Sequence, residues 1–321
     1  MNYLKKSLVI VLFCVLNSHI IYSQKTEKFL DYMKEECAPN SARFYSLTVK
    51  NDSGYLREDY YIKERKLHLR LNYLDSLSKV RDGIFQTFHS NGRIEKNGYY
   101  HQNEKDGLWM SFYWNGYKRD SVVYQNGKEI GTSLYWHPNG FLRDSVYLLN
   151  DGSGSCVSWF DNGVLASLGR YSAGKKQNGR WKYYHMNGKL SSIEVYNDSL
   201  LITKQYFNEN GEAINDTTLT DRKAEFKGGP DAWSKYISKN IYFPSNYKIV
   251  NADEAIVIVA FTVNENGEIE NVYPWVPLDK AFDEIATKAI EKSPKWIPAN
   301  EHNRNVEHTY FQVVKFRNNK Q

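Results

Sequence analysis

The chain has 321 residues, 25% charged and 41% hydrophobic, with 25 Tyr, 15 Phe, 8 Trp and only 8 Pro. That is a globular composition, which excludes a disordered chain, and its aromatic content favours half-buried pleated surfaces. The formal charge of +5 is small and no basic cluster is present to grip phosphates, so a nucleic-acid partner is excluded.

Residues 1–23 read as a signal peptide. Lys5 and Lys6 give a positive start, Leu8 to Leu16 form an apolar run, and Ser23 is a small residue ahead of a cleavage point before Gln24. The run is far short of the ~20 apolar residues that span a bilayer as a helix. Cleavage leaves a charge of +3 and two cysteines, Cys37 and Cys156, which can pair in the oxidising compartment that export implies. Residues 24–57 are expected to hold an N-terminal helix and a lead-in strand.

From Glu58 a unit of about 24 residues repeats. The segments GIFQTFHSNGRI, GLWMSFYWNGYK, GTSLYWHPNGFL, GSCVSWFDNGVL and GRWKYYHMNGKL align on Asn-Gly, and ITKQYFNENGEA adds a sixth. The turn glycines Gly92, Gly116, Gly140, Gly163, Gly188 and Gly211 are spaced 24, 24, 23, 25 and 23 apart. A second series, Tyr100, Tyr124, Tyr147, Tyr171 and Tyr196, keeps the same phase. Alternation such as Trp181, Tyr183, His185 against Lys182, Tyr184, Met186 marks a strand. Asn-Gly predicts a type I′ hairpin turn with two positive-φ residues. Each unit is therefore two strands and two turns, and stacked units give a single-layer antiparallel meander, or comb. Glu64-Arg65 stands for Asn-Gly in a degenerate leading unit.

His89, His137 and His185 fall two residues before the turn Asn. They belong to alternate units, roughly 20 Å apart at ~4.8 Å per strand, so they cannot share one ion. No metal site and no cofactor is expected. These units, over residues 58–215, resemble MORN-like variant repeats, including those of proteins described as YwqK-type antitoxins. That resemblance implies a binding or spacing module.

After residue 216 the repeat stops. Residues 216–229 read as a linker, and Asp231 is placed to cap a helix carrying Trp233, Tyr236 and Ile237 on one face. EAIVIVAFTV (254–263) is apolar on both alternations, a central strand covered on both sides, and NENG turns it into EIENVYPW. Asp279 and Pro294 bound a second helix with Phe282, Ile285, Ala286, Ala289 and Ile290 at helical spacing. VEHTYFQVVKF (306–316) is a last strand. The fold class is thus mainly β with a small α+β domain of order α-β-β-α-β.

The pieces FKGG, KNIYFP, VIVAFTVNENGEIENV, AIEKSPKWIPA and FQVVKF, within residues 222–321, resemble the TonB C-terminal domain family. The resemblance implies capture of a partner's peptide as an added strand on the last strand's edge, where Tyr310, Gln312, Val314 and Phe316 face one side. Two departures stand out. Asp253-Glu254 replaces the usual Gly before the central strand, and Phe243 replaces the usual Tyr before Pro.

No nucleophile motif, P-loop or dinucleotide fingerprint appears, so no enzymatic activity is expected. The favoured function is an exported adaptor of the periplasm or cell envelope that binds a protein partner such as an outer-membrane receptor peptide. The first alternative is an inner-membrane-anchored energy transducer, against which Ser18 and His19 stand adjacent instead of spaced as in the family's anchor. The second is a comb that binds glycan or toxin through its aromatic row.

Overall fold

The computed structural model describes residues 25–218, 221–249 and 254–317. The signal segment 1–23 lies outside them. Sixteen strands, from β1 (Lys25–Leu30) to β16 (Ala213–Ile214), form one antiparallel meander in which each strand pairs with its neighbours in sequence. The protein is mainly β.

The array begins earlier than Glu58. The expected N-terminal helix is instead β1, paired from Lys25↔Val49 to Leu30↔Phe44 with β2 (Phe44–Asn51). The pairing brings the Phe29 and Tyr45 rings to 5.6 Å, and this cross-strand contact overrides the local helical preference of a segment rich in Lys and Glu.

The turns also differ from expectation. At the six repeat-turn Asn-Gly pairs only the glycine is left-handed, with φ from 80 to 93° at Gly92, Gly116, Gly140, Gly163, Gly188 and Gly211. The Gly92 N–H donates to the His89 carbonyl (2.8 Å) and the His89 N–H to the Arg93 carbonyl (2.9 Å). This is a three-residue loop, a type I turn closed by a left-handed glycine. Type I′ pairs sit at the other end of the comb, at Gln102-Asn103 (φ 47 and 73°), Asn126-Gly127 (49 and 74°) and Asp198-Ser199 (47 and 71°).

Keeping the Asn at Asn-Gly out of the left-handed region leaves its side chain available. The Asn oxygen accepts the N–H two residues on, as from Arg93 (2.9 Å), Tyr117 (3.0 Å) and Phe141 (3.1 Å). Its amide nitrogen donates across to the next unit, from Asn91 to the Trp114 carbonyl (3.1 Å), Asn115 to Pro138 (2.9 Å), Asn139 to Asp161 (2.9 Å) and Asn187 to Glu209 (2.9 Å). The histidines do the same from inside. Nε2 of His89, His137 and His185 meets the carbonyls of Phe112 (3.1 Å), Trp159 (2.9 Å) and Phe207 (2.9 Å). The Tyr113 hydroxyl gives the matching bond to Trp136 (2.7 Å). Tyr113→Phe removes that bond alone and should lower stability by about 1 kcal/mol; urea melts of the two proteins measure it. An unchanged midpoint would mean that the inter-unit bond contributes nothing.

One face of the comb carries the aromatic row. Trp109 packs among Phe85 (5.2 Å), Tyr100 (4.9 Å) and Tyr124 (6.2 Å), and its indole N–H donates to the Tyr99 carbonyl (3.1 Å). Trp181 repeats the arrangement with the Arg170 carbonyl (3.1 Å). Because side chains alternate along a strand, Leu108, Ile84 and Tyr147 point to the opposite, exposed face.

The chain then forms helix α1 (Gly229–Asn240), β17 (Ala255–Val263), β18 (Ile269–Val276), helix α2 (Lys280–Glu291), a short hairpin β19 (Ala299–Glu301) and β20 (Arg304–Val306), and β21 (His308–Phe316). Helix α1 starts at the left-handed Gly228 with no side-chain cap, so Asp231 sits in its first turn and does not cap it. Asp279 does cap α2, accepting the Ala281 N–H (3.2 Å). The three-stranded sheet has the order β18-β17-β21. Its inner face meets both helices through Val257, Val259, Phe261, Val314, Phe316, Phe282 and Ile290. Part of the expected linker belongs here: Arg222 and Glu225 bridge to Asn300 and Ile297, and Phe226 is buried in the same core.

Among the described residues the comb and the terminal domain touch at several places, three of them through apolar or aromatic side chains. Ile258 and Val276, from the sheet's outer face, pack on Leu30, Phe44 and Tyr61. Tyr273 stacks on Trp114 at 5.1 Å and 15°. The tip of the β19–β20 hairpin inserts into the fifth unit, where His302 stacks on Tyr183 (3.7 Å, 10°).

Candidate functional site

Strand β21 pairs with β17 along its whole length, Ala255↔Phe316 to Val263↔His308, and no described strand covers its other side. Such an edge presents unpaired backbone N–H and C=O groups. A groove of about 500 Å3 runs between this edge and α1, lined by Trp233, Ile237, Tyr242, Phe243, Gln312 and Phe316 among others.

The four side chains expected to meet a partner point inward. Val314 and Phe316 are buried, and Tyr310 stacks on Phe261 (5.5 Å) and donates its hydroxyl to the Ala224 carbonyl. Gln312 accepts the Trp233 indole N–H (2.7 Å) and donates to the Val313 carbonyl (2.7 Å). Covering two helices needs an apolar row, and this is that row; only Gln312 and Phe316 also reach the groove. The outward row contains Phe311 and Val313, 55% and 40% exposed, with Trp275 against Phe311 at 4.8 Å.

Charge gathers at the strand's end. Lys315 Nζ lies 2.9 Å from Glu254 Oε2 and Arg317 Nε 2.8 Å from Oε1. The hydrogen bonds from Lys315 and then Arg317 hold the Glu254 carboxyl below its ordinary range. All three side chains reach solvent, so the pairing adds little stability.

The sulfurs are apart. Cys37 and Cys156 are both free thiols. Cys37 follows β1, while Cys156 is buried in β11 (Gly154–Trp159), and ten strand spacings of ~4.8 Å separate them along the sheet. The pairing that export would permit is not made here. Burial pushes both thiols up. Among the described residues no three His, Cys, Asp or Glu side chains converge as an ion site, and no helix is long and apolar enough to cross a membrane.

Sequence patterns missed the β19–β20 hairpin. Its turn residues His302 and Asn303 both have positive φ, 54 and 61°, and the side chains that follow reach the comb. His302 Nδ1 is 3.0 Å from both Glu194 oxygens. Asn303 donates to the Phe207 carbonyl (2.9 Å). Arg304 Nη1 donates to the Ala166 and Tyr184 carbonyls, and its guanidinium lies over the Phe160 and Tyr183 rings at 5.1 and 5.4 Å. No family model and no curated protein sequence matches the chain.

Proposed function

We propose that the chain is an exported, non-enzymatic adaptor of the cell envelope. It takes an extended peptide segment of a protein partner as an added strand on β21, with the comb as its docking scaffold. The observation that carries this reading is the uncovered edge of β21 running beside a groove of about 500 Å3 of mixed apolar and polar lining. Backbone groups on the edge supply affinity, and alternate side chains of the peptide meet the groove on one side and Phe311, Val313 and Trp275 on the other. The resemblance of residues 222–321 to TonB C-terminal domains, of residues 58–215 to MORN-like repeats, and of residues 1–23 to a cleaved leader supports it. An outer-membrane receptor segment is the favoured partner.

Selection of binders to the mature chain from a displayed peptide library, followed by hydrogen exchange, tests the proposal. A bound peptide is expected to slow exchange of backbone amides within residues 308–316 by at least about tenfold at saturation. Peptide binders that leave the exchange of that strand unchanged would refute strand addition.

A further inference from the structure

A second cavity, of about 450 Å3, opens where the last units of the comb meet the terminal domain. The turns at His185–Asn187 and Asn208–Glu209 form one wall; the β17–β18 turn and the β19–β20 hairpin form the other. It shares no lining residue with the groove beside β21.

Two groups in it lack a partner on another residue: the Glu265 carboxyl and the Arg304 Nε. Glu265 is 6% exposed, yet among the described residues its carboxyl has no partner beyond its own backbone amide. Other buried acids in the protein are served. Asp59 accepts from Arg57 (2.9 Å), Glu194 from Ser192 (2.8 Å), Tyr196 and His302, and Asp283 from the Leu278 N–H (2.9 Å). Arg304 enters the same cavity with its Nε buried and unpartnered. Burying such groups unpaired is costly, which marks a place where something else completes them.

The remaining polar lining is mostly amide, beside His185, whose Nε2 is held at the Phe207 carbonyl, and Glu209 at the rim. Asn187, Asn208 and Asn303 spend their side chains on the fold, bonding the Glu209 carbonyl, the Glu212 carboxyl and the Phe207 carbonyl. Asn266, Asn300 and Asn305 line the cavity with side chains that make no hydrogen bond to another described residue. An amide offers a donor and an acceptor from one group. Burial pushes the Glu265 carboxyl up to about 7, so its protonated form offers both as well. The apolar contribution is small, chiefly Met186 and Ile214. A complementary ligand must donate and accept at several adjoining atoms, carry no net charge and present little apolar surface. Vicinal hydroxyls have that character, and the volume lies within the usual range for small-molecule sites, roughly 300–1,000 Å3.

We propose that this cavity at the junction of comb and terminal domain binds a neutral saccharide, its hydroxyls shared among Glu265, Asn266, Asn300, Asn305 and the Arg304 guanidinium. The site is independent of strand addition at β21, and either can stand without the other.

Ligand-observed NMR and calorimetry on the full mature chain, with glucose, galactose, N-acetylglucosamine, maltose, lactose and chitobiose as probes, test it. At least one is expected to bind. Asn266→Leu, on an exposed turn, and Asn300→Leu are each expected to weaken that binding about tenfold. Glu265→Gln keeps a donor and an acceptor and is expected to stay within about threefold, whereas Glu265→Leu abolishes binding. Tyr242→Ala, in the other groove, leaves it unchanged. The proposal is overturned if none of the six sugars binds a folded chain. It is equally overturned if Asn266→Leu and Asn300→Leu bind as the parent does, or if Tyr242→Ala is the variant that loses the sugar.

Discussion

Gly169→Ala will lower the stability of the comb by roughly 2–3 kcal/mol, an overpacking effect. Gly169 lies in β12 (Leu165–Ser172), at the register shift opposite Trp181 in β13 (Lys176–Tyr184), and the indole lies against its Cα. A Cβ there would occupy the ring's own atoms, and Gly98 stands in the same relation to Trp109. The ring cannot move aside cheaply, because its N–H is committed to the Arg170 carbonyl and Tyr171 holds its edge at 5.2 Å. Gly179→Ala is the control. That residue has φ 66° and a methyl added there would meet open space, so only left-handed strain of about 1–2 kcal/mol applies. Urea unfolding of the three proteins compares them. If Gly169→Ala also carries Trp181→Leu, most of the loss attributable to the clash should disappear. A single Gly169→Ala variant as stable as the parent would show that the indole is not seated on the glycine.

Arg304→Ala will detach the hairpin tip and split one unfolding transition into two, at a loss of about 3 kcal/mol from two stranded carbonyls and two ring contacts. Burial pulls the guanidinium down only to about 10, so it stays charged at neutral pH. Its neighbour adds a pH dependence. Burial alone would raise the Glu194 carboxyl, but hydrogen bonds from His302, Tyr196 and Ser192 outweigh it and hold the group below its ordinary 4.5. A depressed carboxylate contributes above its unfolded pKa and loses that contribution as pH falls through the folded value. Acid below about pH 4 should therefore weaken the junction, and Glu194→Gln should remove that part of the acid sensitivity. Calorimetric scans between pH 3 and 7 read both effects. A single transition in Arg304→Ala, at the parent's midpoint, would mean the hairpin holds nothing.

Much of the comb is visible in its periodicity because each landmark has one physical job repeated in phase. Gly92 and its five counterparts are the left-handed turn residues, and His89, Tyr113, His137 and His185 at one repeated position reach the next unit's carbonyl, while Phe160 holds that position in the fourth unit. The turn type was misjudged because Asn-Gly suits two loops. Which one forms depends on whether the Asn side chain is needed across the units, a tertiary fact. The first strand was hidden because Lys25–Leu30 is an edge, where no alternation is enforced on the exposed side. Three-residue strands joined by His302-Asn303 fall below any pattern, so the junction and its cavity were invisible. The row of Tyr310, Gln312, Val314 and Phe316 was recognisable as an alternating row; the direction it faces depends on where the helices pack.

Two of the terminal domain's aromatic grips on the comb belong to different units, Tyr273 on Trp114 and His302 on Tyr183. Most units are joined to the next by the same Asn and His or Tyr bonds, so by itself the array would tolerate gain or loss of a tooth. With both grips in place it cannot. Deleting residues 131–153, one period between the grips, would bring Trp114 and Tyr183 two strand widths nearer, about 10 Å, while Tyr273 and His302 kept their separation. The domain therefore acts as a gauge block: it counts the teeth, and only one count lets both ends seat.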